Sequence, residues 1–349
     1  MTLQAETTFG LNLLKTLPAN ESLVFSPLAV ALVLSLVHCE AKGKTREQIG
    51  NAILPGANDD EIKTYYQSIL TDSKTGKHGE EVNLASKAYT FGDYKLKMTL
   101  AETLDVSNQV FQSIDKINEY VSSATKDKVK RLACILTVMH AKALLISAMS
   151  FNGVWAHGFS VNSTSTKSFH LADDNTKNVP FIHSPAAYRS YASDDLFDVA
   201  VLDYKDPDYR FAILLPKYGL GEALEKLDSE RFQNLLSSAK RTYMSTMIPK
   251  FLLTKKLILT PKLRELGIKD IFEDTEDLLT FSNALHKSIV EVNEKGTATD
   301  DTYVPMNPDE PSQKEPIEFK ANHPFLFALV HKNHPLLLGK FYGQSNFIY

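Results

Sequence analysis

The sequence predicts an α+β fold, and three observations indicate this class. Strand-like and helical segments follow one another without regular β-α-β alternation, which favours a large mixed or antiparallel sheet. Residues 28–38 are nearly all apolar, which is typical of a helix buried in a large core. Residues 324–330 form an apolar run that predicts a buried strand. A chain of 349 residues, 43% of them hydrophobic, can build such a core.

The N-terminal elements have clear start signals. Residues 23–25 predict a short strand, and Ser26 and Pro27 follow as an N-cap and a first helical residue. These two residues predict that the apolar helix over residues 28–38 begins directly after the strand. Residues 45–48 (Thr-Arg-Glu-Gln) match a capping box and predict the start of another helix.

The rest of the chain predicts mostly strands. Pro249 interrupts one of them, and Gly267 is expected to stop a helix. The predicted elements are a helix over residues 117–132, strands over residues 143–154, 197–204, 209–216 and 244–253, and a helix over residues 257–266.

The composition of the chain indicates which classes of partner and which cell compartment to expect. The formal net charge of −4 indicates no general attraction to nucleic acid or to an anionic membrane. The two cysteines, Cys39 and Cys134, lie in apolar stretches and are expected to be small buried residues rather than a disulfide or a nucleophile. Residues 1–14 lack the pattern of a signal peptide, which predicts a cytoplasmic protein. Removal of a leader, or non-classical release, would instead make the protein extracellular.

No motif for catalysis, cofactor binding or metal binding is present. Nucleotide-binding glycine patterns, hydrolase motifs and zinc-binding motifs are absent, so we expect neither an enzyme nor a cofactor or metal. His323, His331 and His334 are expected to lie at strand ends and turns. The basic run over residues 126–131 is expected to be a solvated helix end, and a polyanion site is the second interpretation.

The most unusual segment is the stretch over residues 297–316. It holds four prolines and five acidic residues between the strand-like runs 289–292 and 324–330. A structureless connection of this length in a compact domain is usually functional or disordered. Because core-forming sequence holds both of its ends, we expect an exposed, tethered loop that a protease can reach.

Several motifs together make the chain similar to a serpin. They occur in order along the chain: Phe25-Ser26-Pro27-Leu28, Ser150-Phe151-Asn152-Gly153-Val154-Trp155, Glu294-Lys295-Gly296-Thr297, Asn322-His323-Pro324-Phe325-Leu326-Phe327 and Leu338-Gly339-Lys340. The stretch over residues 41–49 most resembles intracellular-type or invertebrate, nematode-like serpins. The resemblance implies one domain over residues 1–349, with three β-sheets, eight or nine α-helices and an exposed reactive-centre loop over about residues 294–316.

The resemblance also implies a mechanism and a set of site residues. A protease cleaves the loop and forms an acyl-enzyme, and the cut loop then inserts into the main sheet as a new strand and distorts the protease. Trp155 matches the breach at the top of that sheet, and Ser26 and His286 match the shutter beneath its central strands. The hinge, where insertion starts, corresponds to Glu294, Lys295, Gly296, Thr297, Ala298, Thr299, Asp300 and Asp301.

The reactive bond is placed by the length of the loop. Counting from Glu294 places it after Glu310 and before Pro311, and counting back from residues 317–319 places it one residue later. The prediction is therefore the region of Asp309 and Glu310, within a residue or two. Because Pro311 would hinder most proteases, Met306-Asn307 is an alternative cleavage point.

The hinge and the shutter depart from the family pattern. Small residues are usual in the hinge, whereas Asp300 and Asp301 would point to opposite faces of an inserted strand. One carboxylate would then face the core at a cost of several kcal/mol. Pro305 is also a poor central-strand residue. At the shutter, Ala29 and Ser147 stand where the family usually has serine and asparagine.

Three functions remain open at this point. The first is suicide inhibition of a serine or papain-like cysteine endopeptidase, which would be the covalent partner of a monomeric inhibitor. The second is a non-inhibitory serpin-fold protein with a binding, storage or chaperone role, which the charged hinge favours. The third is that the acidic loop is a protein-docking segment and its cleavage is incidental.

Overall fold

The structure is a computed structural model. It describes residues 2–91, 101–104 (backbone only), 110–171, 175–273, 280–297 and 315–346. Nine α-helices occur in these ranges: α1 (Thr2–Thr16), α2 (Pro27–Glu40), α3 (Gly43–Ile53), α4 (Asp59–Asp72), α5 (Val110–Ala124), α6 (Ile135–Val138), α7 (Leu220–Glu225), α8 (Ser229–Ser238) and α9 (Thr260–Glu265). Within the same ranges, no helix has the length and apolar character needed to cross a membrane.

The described ranges also contain fifteen strands. They are β1 (Leu23–Phe25), β2 (Glu81–Phe91), β3 (Ala101–Leu104), β4 (Ala143–Val154), β5 (Ser165–His170), β6 (Thr176–Ser193), β7 (Phe197–Asp203), β8 (Tyr209–Pro216), β9 (Lys240–Pro249), β10 (Phe251–Ile258), β11 (Asn283–Val292), β12 (Gly296–Thr297), β13 (Ile317–Lys320), β14 (Phe325–His331) and β15 (His334–Phe341). The helices and the mixed sheets agree with the predicted α+β class.

Hydrogen bonding joins these strands into two networks, whereas the resemblance implied three sheets. Nine strands run in the order β1-β15-β14-β8-β7-β6-β9-β13, with β5 on the edge of β6. The long strand β6 pairs with β5 near its start and with β7 near its end, and it pairs with β9 along most of its length. A register shift between Ser184 and Ala187 interrupts the β6–β9 ladder. These two continuous strands connect what would otherwise be two separate sheets.

The six-stranded sheet has the order β10-β11-β4-β2-β3, and the short β12 pairs with β4. Strand β4 is its centre, and its side chains alternate between two cores. Leu144, Ile146 and Ala148 belong to a small apolar cluster with α5, whereas Leu145 and Met149 belong to the main core. Strands β4 and β11 are parallel neighbours from Asn283, opposite Leu144, to Ile289, opposite Ser150.

Local signals placed the start of α2 correctly but not that of α3. Ser26 caps α2, because its side chain accepts a hydrogen bond from the backbone N–H of Ala29, and Pro27 is the first helical residue. The capping box predicted at residues 45–48 is wrong, because α3 begins at Gly43 and Thr45 lies inside it. A capping box is instead formed at α4 by Asn58 and Glu61.

Three other element boundaries differ from the prediction. The helix expected over residues 117–132 is α5, which ends at Ala124 and is followed by residues with positive φ at Lys126 and Asp127. The strand expected over residues 244–253 is two strands, because Pro249 ends β9 and the chain then enters β10 of the other sheet. The helix expected over residues 257–266 begins only at Thr260, since β10 extends to Ile258.

Both cysteines are exposed, so the expectation that they are buried is wrong. Cys39 lies in the last turn of α2, where the helix leaves the core. Cys134 immediately precedes α6, beside Lys256, whose Nζ lies 3.6 Å from its sulfur. Sequence neighbours were a poor guide here, because each cysteine stands at the end of a buried segment rather than inside it.

Candidate functional site: the hinge, the breach and the shutter

The chain makes a tight turn where β11 ends. The side-chain oxygen of Asn293 accepts hydrogen bonds from the backbone N–H groups of Lys295 and Gly296, at 2.9 and 3.1 Å. The backbone N–H of Asn293 donates to the carbonyl of Gly296 at 3.0 Å. A short polar side chain of this kind commonly stabilises such a turn. The turn reverses the chain and directs the predicted hinge back towards the six-stranded sheet.

Two residues of the predicted hinge pair with the central strand β4. Gly296 lies opposite Val154 and Thr297 lies opposite Gly153, in antiparallel register. This short strand, β12, lies above the last parallel pair between β11 and β4. The side chain of Thr297 is 2% exposed and shares a 2.6 Å hydrogen bond with the hydroxyl of Tyr204. The start of the predicted loop is therefore part of the six-stranded sheet.

Trp155 donates two hydrogen bonds to this turn. Its indole N–H donates to the carbonyl of Asn293 and its backbone N–H donates to the carbonyl of Lys295, both at 3.0 Å. Its ring stacks on Tyr204 with a centroid distance of 4.5 Å and an interplanar angle of 26°. Because Tyr204 also shares a hydrogen bond with Thr297, the stacked pair of Trp155 and Tyr204 contacts both the turn and Thr297.

Glu294 anchors the other side of the turn. Its carboxylate accepts hydrogen bonds from the hydroxyl of Thr164 at 2.6 Å and from Lys250 at 2.9 and 3.1 Å, and the residue is 5% exposed. Burial would raise the pKa of Glu294, but the hydrogen bonds from Thr164 and Lys250 outweigh it and lower the pKa. Its backbone carbonyl also accepts a 2.8 Å hydrogen bond from the N–H of Phe159. Glu294 is thus a buried, paired carboxylate at the base of the loop.

Gly296 is needed for the close approach of two backbones. A Cβ at this position would overlap the carbonyl oxygen of Gly153. We expect Gly296→Ala to expel residues 296–297 from β4 and to lose the Thr297–Tyr204 hydrogen bond, at a cost of about 1–2 kcal/mol. Trp155, the only tryptophan of the chain, should report this as a red-shifted fluorescence emission.

The matched control for that change is Gly219→Ala. A Cβ at Gly219 would meet no atom within 4 Å, so its emission should match that of the wild type. An unchanged emission maximum in Gly296→Ala would contradict the close packing of the hinge on β4.

The residues of the predicted shutter lie around one buried histidine, His286. The Nε2 atom of His286 lies 3.0 Å from the backbone nitrogen of Ser26 and 2.8 Å from the hydroxyl of Ser288. Its Nδ1 atom lies 2.8 Å from the hydroxyl of Ser147 on the neighbouring strand β4. Every polar atom of the ring therefore has a partner, and the Ser147 contact bridges the two strands that must separate if the sheet opens.

The partners determine the protonation of the ring. The backbone N–H of Ser26 can only donate, so Nε2 must be an acceptor and the ring proton is on Nδ1, donated to Ser147. Burial lowers the pKa of His286 to about 3. The family usually has an asparagine at the position of Ser147. In this chain the hydroxyl of Ser147 accepts the hydrogen bond from His286 at that position. At Ala29, the other departure, the backbone N–H is capped by Ser26.

The structure describes only part of the predicted site. It places Trp155 against the described part of the hinge, residues 294–297, and it brings Ser26 and His286 together. The remaining hinge residues Ala298, Thr299, Asp300 and Asp301 lie outside the described residues. The predicted reactive bond at Asp309, Glu310 and Pro311 also lies outside them.

Sequence reasoning missed three residues that complete these clusters. Tyr204 and Lys250 directly follow β7 and β9 of the other sheet network and contact the predicted hinge, and Ser288 joins the predicted shutter residues around His286. Ser288 could have been found, because it follows His286 at the two-residue spacing that puts side chains on one face of a strand. Tyr204 and Lys250 had no comparable signal, since the contacts are far apart in sequence.

The sequence profile described as Serpin (serine protease inhibitor) matches residues 4–343. This chain belongs to the serpin family. Among similar curated proteins, Iripin-2 of Ixodes ricinus is 29% identical, over 93% of this serpin and 89% of that protein. Leukocyte elastase inhibitor A of Mus musculus is 28% identical, over 96% of this serpin and 97% of that protein. The family is one of protease inhibitors rather than of enzymes.

Solved structures share the same fold. The native thermophilic serpin tengpin superposes with a TM-score of 0.86 at 21% identity, over 98% of this serpin and 94% of that chain. Human thyroxine-binding globulin in complex with thyroxine superposes with a TM-score of 0.86 at 21% identity, over 99% of both chains. At these identities the likeness concerns the fold alone. The fold is thus found both in a protein named as a serpin and in one named for binding thyroxine.

Proposed function

We propose that this serpin is a monomeric suicide inhibitor of endopeptidases, with a serine or papain-like cysteine protease as its covalent partner. The observation that carries the proposal is the pairing of Gly296 and Thr297 with Val154 and Gly153. Loop insertion needs a first pair of residues in the sheet from which the new strand can extend. Here two residues are in antiparallel register with the strand that would be the new neighbour.

The register of β12 on β4 indicates which contacts would form and which would break if the loop inserted. A loop that continued the pairing would place Asp300 opposite Ser150 and Tyr303 opposite Ser147, at the shutter. The parallel pairs between β11 and β4, from Asn283 to Ile289, would have to break. The hydrogen bond between His286 and Ser147 would break with them, because the new strand would lie between its two partners. The breach and shutter geometry therefore supports a sheet that can open along this line.

The covalent step takes place in the loop. The protease hydroxyl or thiol would attack the carbonyl carbon at the reactive bond, which we place near Asp309 and Glu310. The amine of the next residue, Pro311 or its neighbour, would leave with the proton taken from the nucleophile, and an ester or thioester would remain. If strand insertion is faster than hydrolysis of this acyl bond, the complex is trapped. If it is slower, the serpin is consumed as a substrate.

Two readouts test the proposal together. Incubation with a glutamate-specific serine protease and with papain should give a covalent complex that survives denaturing electrophoresis, together with release of the C-terminal peptide. Limited cleavage of the 297–316 loop should also raise the thermal unfolding midpoint strongly, because the inserted strand adds ladder hydrogen bonds and buried surface. Cleavage with neither a complex nor a higher midpoint would refute inhibition by insertion.

The alternative is a non-inhibitory serpin with a binding, storage or chaperone role. The observation that favours it is the pair Asp300 and Asp301, which follows Gly296 and Thr297 of β12 after two intervening residues. The similarity of fold to thyroxine-binding globulin is compatible with it. A cut loop that leaves the unfolding midpoint unchanged, in a protein that forms no complex with either protease, is the result expected from this alternative.

A further inference from the structure

Short helix α6 presents apolar side chains to solvent. Leu136 is 82% exposed, and Ile135 and Met139 beside it are also exposed. Ile258, at the end of the edge strand β10, is a fourth exposed apolar residue. Isolated exposed apolar residues are ordinary on a protein surface, but three within five consecutive residues form a local apolar tip.

Basic side chains lie next to this tip. Lys256 and Lys287 stand directly opposite each other on β10 and β11, where like charges destabilise a sheet. Lys256 reaches Cys134, the residue that precedes α6, and Lys287 donates a 2.6 Å hydrogen bond to the carbonyl of Lys130. Burial lowers the pKa of Lys287, and the positive charges of Lys256 and Arg131 lower it further. The three cations are therefore close enough to repel one another.

These cations lack carboxylate partners. In the part of the chain that the structure describes, no ion pair reaches Arg131, Lys256 or Lys287. Asp115 and Glu119 of α5 share a shallow pocket of about 250 Å³ with Arg131, but neither comes within ion-pair distance of it. An external anion would relieve the repulsion at this site.

We propose that this surface, the α6 patch (Arg131, Ile135, Leu136, Met139, Lys256 and Lys287), docks on an anionic lipid bilayer. An apolar tip beside a basic cluster suits the boundary between lipid headgroups and acyl chains, because the tip can insert while the cations contact the headgroups. A soluble polyanion would leave the apolar tip in water. A second copy of this chain across a twofold axis would bring the two basic clusters towards each other.

The net charge of −4 predicted no attraction to a membrane. That prediction concerns the chain as a whole, and electrostatic attraction decays over about 10 Å in 0.1 M salt. A local cluster can therefore bind an anionic surface that the average charge would not. The α6 patch contains no residue of the predicted loop, and the test of the patch measures lipid binding rather than inhibition.

The test uses the full-length protein and sedimentation with lipid vesicles. We expect binding to vesicles of equal parts phosphatidylserine and phosphatidylcholine, weakened by added salt, and no binding to phosphatidylcholine alone. Neutralising two cations with Arg131→Gln and Lys256→Gln should weaken binding about 30-fold, at roughly a fivefold loss for each cation. Leu136→Ser should weaken it about tenfold, because its side chain inserts only in part.

Matched controls lie elsewhere on the surface. Lys167→Gln with Lys177→Gln removes two exposed lysines of β5 and β6, and Tyr218→Ser removes another exposed apolar side chain. Neither should change binding, and the unfolding midpoints should confirm that all of these variants remain folded.

Three results would overturn the proposal. The first is no binding to the anionic vesicles. The second is binding to phosphatidylserine that Leu136→Ser leaves unchanged, together with equal binding to soluble heparin, which would indicate a soluble polyanion. The third is concentration-dependent dimerisation that Leu136→Ser abolishes, which would indicate a second copy as the occupant.

Discussion

Replacing Asp301 by alanine is expected to increase the fraction of cleaved protein that inserts its loop, and to do so by more than replacing Asp300. Continuing the register of Gly296 and Thr297 on β4 would place residue 301 of an inserted strand opposite Met149, and directly opposite residues point to the same face of a sheet. Met149 is fully buried in the main core. The Asp301 carboxylate would therefore enter an apolar region, where an unpaired charge costs several kcal/mol. If about 3 kcal/mol of this cost is felt in the transition state for insertion, insertion of Asp301→Ala should be about 100-fold faster.

Asp300→Ala is the matched control. Residue 300 would lie opposite Ser150, whose hydroxyl already donates to the carbonyl of Thr125 on the other face of the sheet. Polar neighbours there would offset part of the cost of burying the Asp300 carboxylate. The readouts are the ratio of covalent complex to cleaved serpin and the unfolding midpoint after cleavage. Equal effects of the two variants would mean that the register does not continue. If neither variant had an effect, alone or combined, the two aspartates of the hinge would not explain weak inhibition.

Acid is expected to destabilise the native protein through His286, starting well above the range in which carboxylates titrate. The pKa of His286 is lowered to about 3 in the folded state, compared with 6.5 for an unperturbed histidine. Between these values the unfolded chain binds a proton that the folded chain excludes, so stability falls as the pH falls. The loss is about 1.4 kcal/mol per pH unit below 6.5, or about 2 kcal/mol at pH 5. Well above pH 6.5, where the histidine is neutral in the unfolded chain too, this group contributes no pH dependence.

Urea unfolding at pH 7.5 and pH 5 measures this effect. His286→Gln should lower stability at both pH values, because it disrupts the contacts with Ser26 and Ser147, and it should flatten the difference between them by about 2 kcal/mol. His78→Gln, at an exposed position, is the matched control and should keep the wild-type difference. His38, His183, His323 and His331 also have pKa values lowered by burial, so a residual slope is expected. An unchanged slope in His286→Gln would show that the ring is not buried in its neutral form.

Much of the fold was predictable because its signals are local. Ser26 and Pro27 mark the start of α2, and residues 206–208 separate the two predicted strands β7 and β8, which pair with each other. The apolar run at residues 324–330 is β14, which is buried throughout. In each case the physical cause, a cap, a turn or a continuous apolar run, acts within a few residues of the element that it specifies.

The wrong predictions share a different cause. Pro249 looked like an interruption of one strand, but it is the point where the chain passes from β9 to β10 in the other network. Cys134 looked buried because its neighbours are apolar, but it stands at the exposed start of α6. Membership of a sheet and the side of a segment that faces water depend on packing between distant segments. Neither can be read from the neighbours in sequence.

The sequence by itself determined the α+β class, most of the strands, the serpin resemblance and the charged composition of the hinge. Tertiary structure decided how these residues meet. The pairing of Gly296 with Val154, the stacking of Trp155 on Tyr204 and the contact of His286 with Ser147 each join segments that are far apart in the chain. A one-residue change of register would exchange the faces that Asp300 and Asp301 occupy in an inserted strand. Register follows from the packing of the whole sheet, and for that reason the composition of the hinge was evident from the sequence whereas its alignment on β4 required the folded structure.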